Sequence, residues 1–312
     1  MTTETLAQDA VANRYEFVLL FDCTDGNPNG DPDAGNMPRT DPETMQGFVT
    51  DVALKRKVRD YVDTLKRTGP DEHEQGYRIY VQHQGRGGTF LNALHDQAHD
   101  AIGTPKDAAK RKAPDANTRE NARTWMCENF YDVRSFGAVM STGSNAGQVR
   151  GPLQITFARS IDPISPTEVT ITRVAKTTAE RAEKEGTTEI GRKNMIPYGL
   201  YRAHGFVSPS FAAQTGFSEA DLQLTWQALL RMFEDDRSAS RGFMATRGLY
   251  VFKHASPLGN APAHELFELV RVERKPGVDV ARKFSDYDVT VARDSLPAGV
   301  TLEEPRPAYG NP

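Results

Sequence analysis

Four carboxylates crowd a single short stretch, Asp22-Cys23-Thr24-Asp25-Gly26-Asn27-Pro28-Asn29-Gly30-Asp31-Pro32-Asp33. Oxygen ligands at that density could hold magnesium for phosphodiester cleavage, the metal activating water and neutralising charge on the phosphate. From Asp25 the run also meets the first half of a calcium-loop pattern, with oxygen side chains at positions one, three and five and glycine at six. The twelfth position is Asn36, where that loop needs a bidentate carboxylate, and an apolar strand stands where the entering helix would be. A turn built from aspartate, asparagine, glycine and proline explains the same residues. No metal site is therefore assigned, and a metal-dependent nuclease using Asp22 to Asp33 stays open as the alternative function.

Other reactive groupings are sparser. His95 and His99 are four apart on an expected helix, so their imidazoles share a face, but no third ligand is identifiable and a solvated helix face is the simpler reading. Cys127 has no histidine near it in sequence, and Cys23 sits among carboxylates that raise a thiol's pKa. Neither makes a nucleophile, no catalytic residue is assigned, and no cofactor is called for. Ser141-Thr142-Gly143-Ser144-Asn145-Ala146-Gly147-Gln148 lacks the Gly-Lys-Ser/Thr ending of a nucleotide-binding loop. Its small side chains and the following Arg150 suit either a plain flexible loop or close approach to a phosphate backbone. Arg241-Gly242-Phe243 copies the start of an RNA-recognition signature and then departs from it. Around it Arg237, Arg241, Arg247 and Lys253 stand beside Phe243, Tyr250 and Phe252, the mixture that phosphate neutralisation and base stacking require.

These groups must be positioned by an ordinary globular chain. It has 312 residues, 38% hydrophobic and 26% charged, enough for one large domain with insertions. The longest apolar run, near Phe17 to Phe21, is far too short to span a bilayer, and Met1 to Val11 is too polar for a secretory signal, so a cytoplasmic protein without membrane contact is expected. Two cysteines permit neither a disulfide framework nor a four-cysteine zinc site and read as free thiols. The net charge of -4 is mildly against a nucleic-acid coat. Yet base gathers at Lys55 to Arg59, Lys110 to Lys112 and Arg237 to Arg247, so a local positive groove can coexist with an acidic exterior.

Strand patterns fall at Tyr15 to Phe21, Tyr77 to Gln82, Leu153 to Ala158, Val169 to Val174, Leu200 to Val207, Leu249 to Lys253, Leu266 to Val272 and Tyr287 to Val291. Helical patterns fall near Gln46 to Arg67, Phe90 to Ile102, Thr118 to Phe130 and Glu219 to Phe233. The interleaving predicts an α+β fold, a sheet covered by helices, and the element order permits a ferredoxin-like, RNA-recognition-type sheet with large insertions. Thr40-Asp41-Pro42-Glu43 reads as the start of the first helix. On that helix Leu54, Val58, Tyr61, Val62 and Leu65 share one stripe, with Arg56 and Arg67 opposite and Lys57 and Arg59 on the flanks. Residues 83–135 read as a helical insertion, with an exposed stretch from Thr104 to Asn117 carrying Lys106, Lys110, Arg111 and Lys112. Residues 174–200 read as a protruding hairpin arm, because Thr177 to Lys193 is charged with almost no large apolar residue. Residues 296–312, rich in proline, read as a frayed tail on the single domain 1–312.

The stretch from Arg14 through the acidic loop to Pro38-Arg39-Thr40-Asp41-Pro42-Glu43 and the helix at Ala53-Leu54-Lys55-Arg56-Lys57 resembles the backbone subunit of type I CRISPR surveillance complexes (Cascade), most like the type I-C branch. Further pieces follow in family order: Arg134-Ser135-Phe136-Gly137-Ala138-Val139, Val149-Arg150-Gly151-Pro152-Leu153-Gln154, Asn194-Met195-Ile196-Pro197-Tyr198-Gly199-Leu200-Tyr201 and Ser240-Arg241-Gly242-Phe243. The resemblance implies a palm with a finger-like insertion and a thumb-like hairpin. It implies a non-catalytic protein that polymerises head to tail on CRISPR guide RNA, beside other Cascade subunits, and supports pairing with target DNA. Matched by motif, Lys55 and Arg56 become phosphate ligands assisted by Arg39 and Thr40, followed by Arg150, Arg241 and Arg247.

Overall fold

The computed structural model describes residues 9–82, 89–104, 114–175, 177–178 and 189–307. Its centre is strand β1 (Tyr15–Gly26), whose Phe17, Leu19, Phe21 and Cys23 enter one core while Val18 and Leu20 enter another on the opposite face. A strand covered on both faces reads as a continuous apolar run rather than an alternating one. In chain order follow β2 (Gln46–Val49), α1 (Asp51–Lys66), α2 (Leu91–Ala101), α3 (Ala116–Asn129), α4 (Tyr131–Phe136), β3 (Gly137–Met140) and β4 (Gly147–Arg150). Next come β5 (Leu153–Ile155), β6 (Ala158–Pro163), β7 (Thr167–Arg173), β8 (Glu189–Val207), α5 (Pro209–Thr215) and α6 (Glu219–Arg231). The described chain ends with β9 (Phe243–His254), α7 (Ala263–Glu268), β10 (Val270–Arg274), β11 (Tyr287–Val291) and β12 (Val300–Glu303).

Eight strands form one sheet in the order β12-β9-β1-β8-β6-β2, with β5 and β7 also paired to β8, and every pairing is antiparallel. Helices α1 and α6 cover one face, where Leu54, Val58 and Val62 meet Leu222, Trp226 and Leu229 around Phe17 and Phe21. Ser218 caps α6 in a reciprocal capping box with Asp221. The same carboxylate takes a bidentate contact from buried Arg134, at 2.7 and 2.9 Å, which pins α4 to α6. The opposite face is covered by α7 and the β10–β11 hairpin around Leu20, Phe252 and Leu266. A separate core, with Leu94, Met126, Cys127, Phe130 and Met140, holds α2, α3 and the β3–β4 hairpin together.

Several sequence expectations give way. The first helix is capped by Thr50, whose hydroxyl accepts the Ala53 amide, and not at Thr40. Asp41 instead turns its carboxylate onto the amides of Glu43 and Thr44, and Gln46 to Val49 becomes an edge strand against β6. Four residues of the apolar stripe are buried as expected, while Leu65 lies exposed. Tyr77 to Gln82 is not a strand. Its Tyr80 and Val81 amides bond the Asp132 carboxylate at 2.7 and 3.0 Å, so one side chain takes the place of a strand partner. Leu266 to Val272 divides between α7 and β10, the helix starting after Pro262. The stretch from Leu296, expected to be loose, contributes β12, which pairs with Val251 to His254. Lys106, Lys110, Arg111 and Lys112 lie outside the described residues, as do Lys176, Glu180, Arg181, Glu183, Lys184 and Glu185 of the arm and the last residues of the tail.

Both cysteines are free and buried, and burial pushes each thiol up to about 12. At pH 8 neither should react with a disulfide reagent in the native protein, whereas both should react in guanidinium. Rapid labelling of either thiol before unfolding would contradict the packing described for β1 and α3.

Candidate nucleic-acid interface

The acidic loop leaves β1 at Gly26 and is locked onto the segment that enters β9. The Asn27 amide bonds the Ser240 carbonyl at 2.8 Å, and Thr24 lies in register with Phe243. Gly26 and Gly242 make this approach possible. A methyl group at Gly26 would lie 2.0 Å from the Arg241 carbonyl oxygen, and one at Gly242, where φ is +61°, would lie 2.3 Å from that of Asp25. On its other side the loop carries the start of α1, because the Asn29 carboxamide oxygen accepts the Thr50 amide at 2.9 Å and the Thr50 hydroxyl at 3.1 Å. Two motifs more than two hundred residues apart are thus fixed to one helix terminus.

They enclose a cavity of about 410 Å³, lined among others by Asn27, Asn29, Arg56, Asp60, Asp236 and Arg241. The Arg56 side chain is 47% exposed and that of Arg241 29%, so both guanidinium groups are reachable from solvent. Asp236 contacts both Lys57 and Arg241, and Lys57 is buried, which lowers the affinity of its amine for a proton. In the same segment of chain as Asp236 and Arg241, Arg237 lies 5.1 Å from the ring of Phe243, itself exposed. Forked cations beside a free aromatic ring suit a nucleic-acid backbone and a stacked base.

Of the seven residues expected to meet RNA, Arg56 and Arg241 share this cavity and the other five lie outside its lining. Lys55 points to another flank of α1, paired with Asp51 at 2.8 Å and 5.7 Å from the Phe136 ring. Arg150 is exposed at the end of β4 and stacks 4.5 Å from Phe211. Arg39 pairs with Asp31 at 3.4 Å, and Thr40 bridges Gly47 beside β2. Arg247 is tied to buried Asp22 at 2.8 Å, and burial holds that carboxyl above its usual range against the pull of Arg247 and of the Tyr198 hydroxyl. Asp236 and Asn29 were missed by sequence reasoning. In sequence the first stands at the end of the acidic run Glu234-Asp235-Asp236, directly before Arg237, and the second is one of the turn formers of the acidic loop.

Asp22 and Asp31 of the acidic loop are committed to Arg247 and Arg39, and among the described residues no three histidine, cysteine, aspartate or glutamate side chains converge on a metal position. His95 and His99 are not solvated but fully buried. His95 donates through Nδ1 to the Thr142 carbonyl and accepts the Tyr80 hydroxyl at Nε2, both at 2.8 Å, and His99 donates to the Asn145 carbonyl at 3.0 Å. Together with the Ser144 to Asp96 bond of 2.6 Å, they fasten the glycine-rich turn between β3 and β4 to α2. That turn is therefore an anchored hairpin loop.

A family profile described as CRISPR-associated protein Cas7 matches residues 13–292. A relative, the CRISPR-associated protein Cas7 of Haloferax volcanii, is 28% identical over 238 residues, covering 70% of this chain and 64% of the relative. The matched region thus spans less than two thirds of that relative's length. A chain of a solved CRISPR RNA-guided surveillance complex in a pre-nicking state is similar at TM-score 0.46 and 15% identity, over 77% of this chain and 78% of that one. A chain of another CRISPR RNA-guided surveillance complex is similar at TM-score 0.41 and 12% identity, over 77% of this chain and 68% of that one.

The interlock of the two loops separates two glycine substitutions. Gly242→Ala combines left-handed backbone with collision against the Asp25 and Thr24 carbonyls, and should cost about 2–4 kcal/mol. Gly35→Ala has a similar φ of +59° but open space around it, and should cost only about 1 kcal/mol. Denaturant titration of both variants checks the difference, and equal losses would mean that the loops are not in contact.

Proposed function

The chain belongs to the Cas7 family of CRISPR-associated proteins, and from that premise we propose that it is a non-catalytic backbone subunit that coats CRISPR guide RNA and supports its pairing with target DNA. The observation that carries this reading is the meeting of the acidic loop, the first helix and the Ser240-Arg241-Gly242-Phe243 segment on one cavity presenting Arg56 and Arg241. Such a cavity grips a phosphate backbone and leaves the reading of sequence to base pairing. The motifs resemble the type I-C branch most, and other Cascade subunits complete the assembly in the cytoplasm. No helix of the described residues is long and apolar enough to cross a membrane.

The palm is read as ferredoxin-like. Its support is the order β1, α1, β6, β8, α6, β9, with the four strands side by side as β9-β1-β8-β6. Residues 83–135 are assigned as the finger-like insertion, supported by the separate core that α2 and α3 share. Residues 174–200 are assigned to the thumb-like arm, whose base is the ladder of β7 with the first part of β8. All seven residues of β7 are exposed, so the apolar side chains of Val169 and Ile171 are left uncovered by the chain's own core. A neighbouring copy supplies that cover. Contact between unlike surfaces does not close on itself, and copies then line up head to tail for as long as the RNA extends.

Lys55, Arg56, Arg150, Arg241 and Arg247 are proposed as RNA contacts, with Arg39 and Thr40 assisting at the loop. Lys55→Ala combined with Arg56→Ala should weaken binding of single-stranded RNA and lower the log–log salt slope by about 0.7 for each phosphate no longer neutralised. An unchanged slope in the folded double variant removes α1 from the interface. Val169→Asp with Ile171→Asp should leave a folded chain that fails to form multi-copy complexes on RNA. Complexes of undiminished mass by light scattering would show that the arm is dispensable.

A further inference from the structure

The cavity holds an anomaly for a surface meant to meet a polyanion: two carboxylates, Asp60 beside Arg56 and the more deeply set Asp236, stand among its cations. Asp236 is almost wholly enclosed, its side chain 7% exposed, and it contacts Lys57 through one oxygen and Arg241 through the other. The Arg241 backbone is fixed independently, since its carbonyl abuts Gly26 and its amide bonds the Ser238 carbonyl at 3.1 Å. The guanidinium beyond it has several rotatable bonds, and Asp236 is the partner that selects one arrangement. Below, the Lys57 ammonium lies 5.6 Å from the Phe233 ring, away from solvent, and needs a counter-charge to remain ionised there.

We propose that Asp236 is a positioning residue for RNA, holding the Arg241 guanidinium at the cavity so that removal of this negative charge weakens RNA binding instead of strengthening it. The proposal rests on the reading of the cavity as a phosphate-backbone site. Simple electrostatics points the other way, because neutralising a carboxylate near a polyanion should help. The enclosure of Lys57 cancels that gain. Without Asp236 the buried amine loses the counter-charge bonded to it and holds its proton less firmly, which offsets the removal of the carboxylate. What disappears is the ordering of Arg241: holding the guanidinium on a phosphate would then cost binding free energy, and that contact is lost.

The test is equilibrium binding of a labelled single-stranded RNA oligonucleotide to the full chain over a series of salt concentrations. Asp236→Asn should weaken binding about tenfold and lower the log–log salt slope by about 0.7. Arg241→Gln should do the same, and adding Asp236→Asn to it should change affinity less than about twofold, because coupled residues are not additive. Lys57→Met with Asp236→Asn keeps the interior neutral and guards against a variant that misfolds from an unpaired buried charge. It should bind as weakly as Asp236→Asn alone while melting like the unaltered chain. Equal or tighter binding by Asp236→Asn, recovered affinity in the Lys57→Met pair, or full additivity with Arg241→Gln overturns the positioning role. If Arg241→Gln itself leaves affinity and slope unchanged, the cavity is not an RNA site and the reading beneath the proposal falls with it.

Discussion

Because β1 is paired on both edges, from Tyr15 to the Gly26–Ile196 and Thr24–Phe243 registers, its far end cannot shift without disturbing β8 and β9. That end is where the acidic loop begins. The loop in turn holds the first turn of α1 through Asn29 and the Arg241 segment through Asn27, so a rigid sheet margin sets the separation of Arg56 and Arg241. Burial of both faces of β1 is the source of the rigidity. Its side chains have cores to fill on either side, and a slip of one residue would exchange the contents of the two.

The charged groups follow a division of labour by depth. Arg134 with Asp221, Arg59 with Asp132 and Lys57 with Asp236 are pairs removed from water, and they tie elements together. Cations closer to solvent, such as Arg56 and Arg241, keep partial exposure. A chain of net charge -4 can therefore present a cationic cavity, since exposed charges farther apart than about 8 Å are largely screened at physiological salt.

Much of this was legible before the fold. Apolar runs located β1, the body of β8 and β11, and the stripe Leu54, Val58, Tyr61, Val62 located the buried face of α1. The start of α1 was misread because Thr40-Asp41-Pro42-Glu43 and Thr50 both offer capping oxygens, and the choice between them depends on whether Gln46 to Val49 finds a strand partner in β6. That partner lies more than a hundred residues away, beyond any local window. His95 and His99 were assigned to solvent because neighbouring Asp96 and Asp100 made the face polar. The carbonyls that recruit them inward belong to a distant hairpin turn. Arg56 and Arg241 were each named on sequence, whereas their sharing of one cavity follows from glycine-permitted contact of two loops.

Strand β8 belongs to two ladders at once. Its first seven residues pair with β7 in the arm and its remainder pairs with β1, β5 and β6 in the main sheet. At about 3.3 Å per residue, nineteen residues of unbroken strand make a strut of roughly 60 Å. A hinge would let the arm swing while the body stayed still. A strut transmits torque, so a load on the arm is felt by the sheet as twist about the axis of β8. In an array of such subunits, bending of one would be passed to the next as rotation, and the stiffness of the array would be set by the strand rather than by a flexible linker.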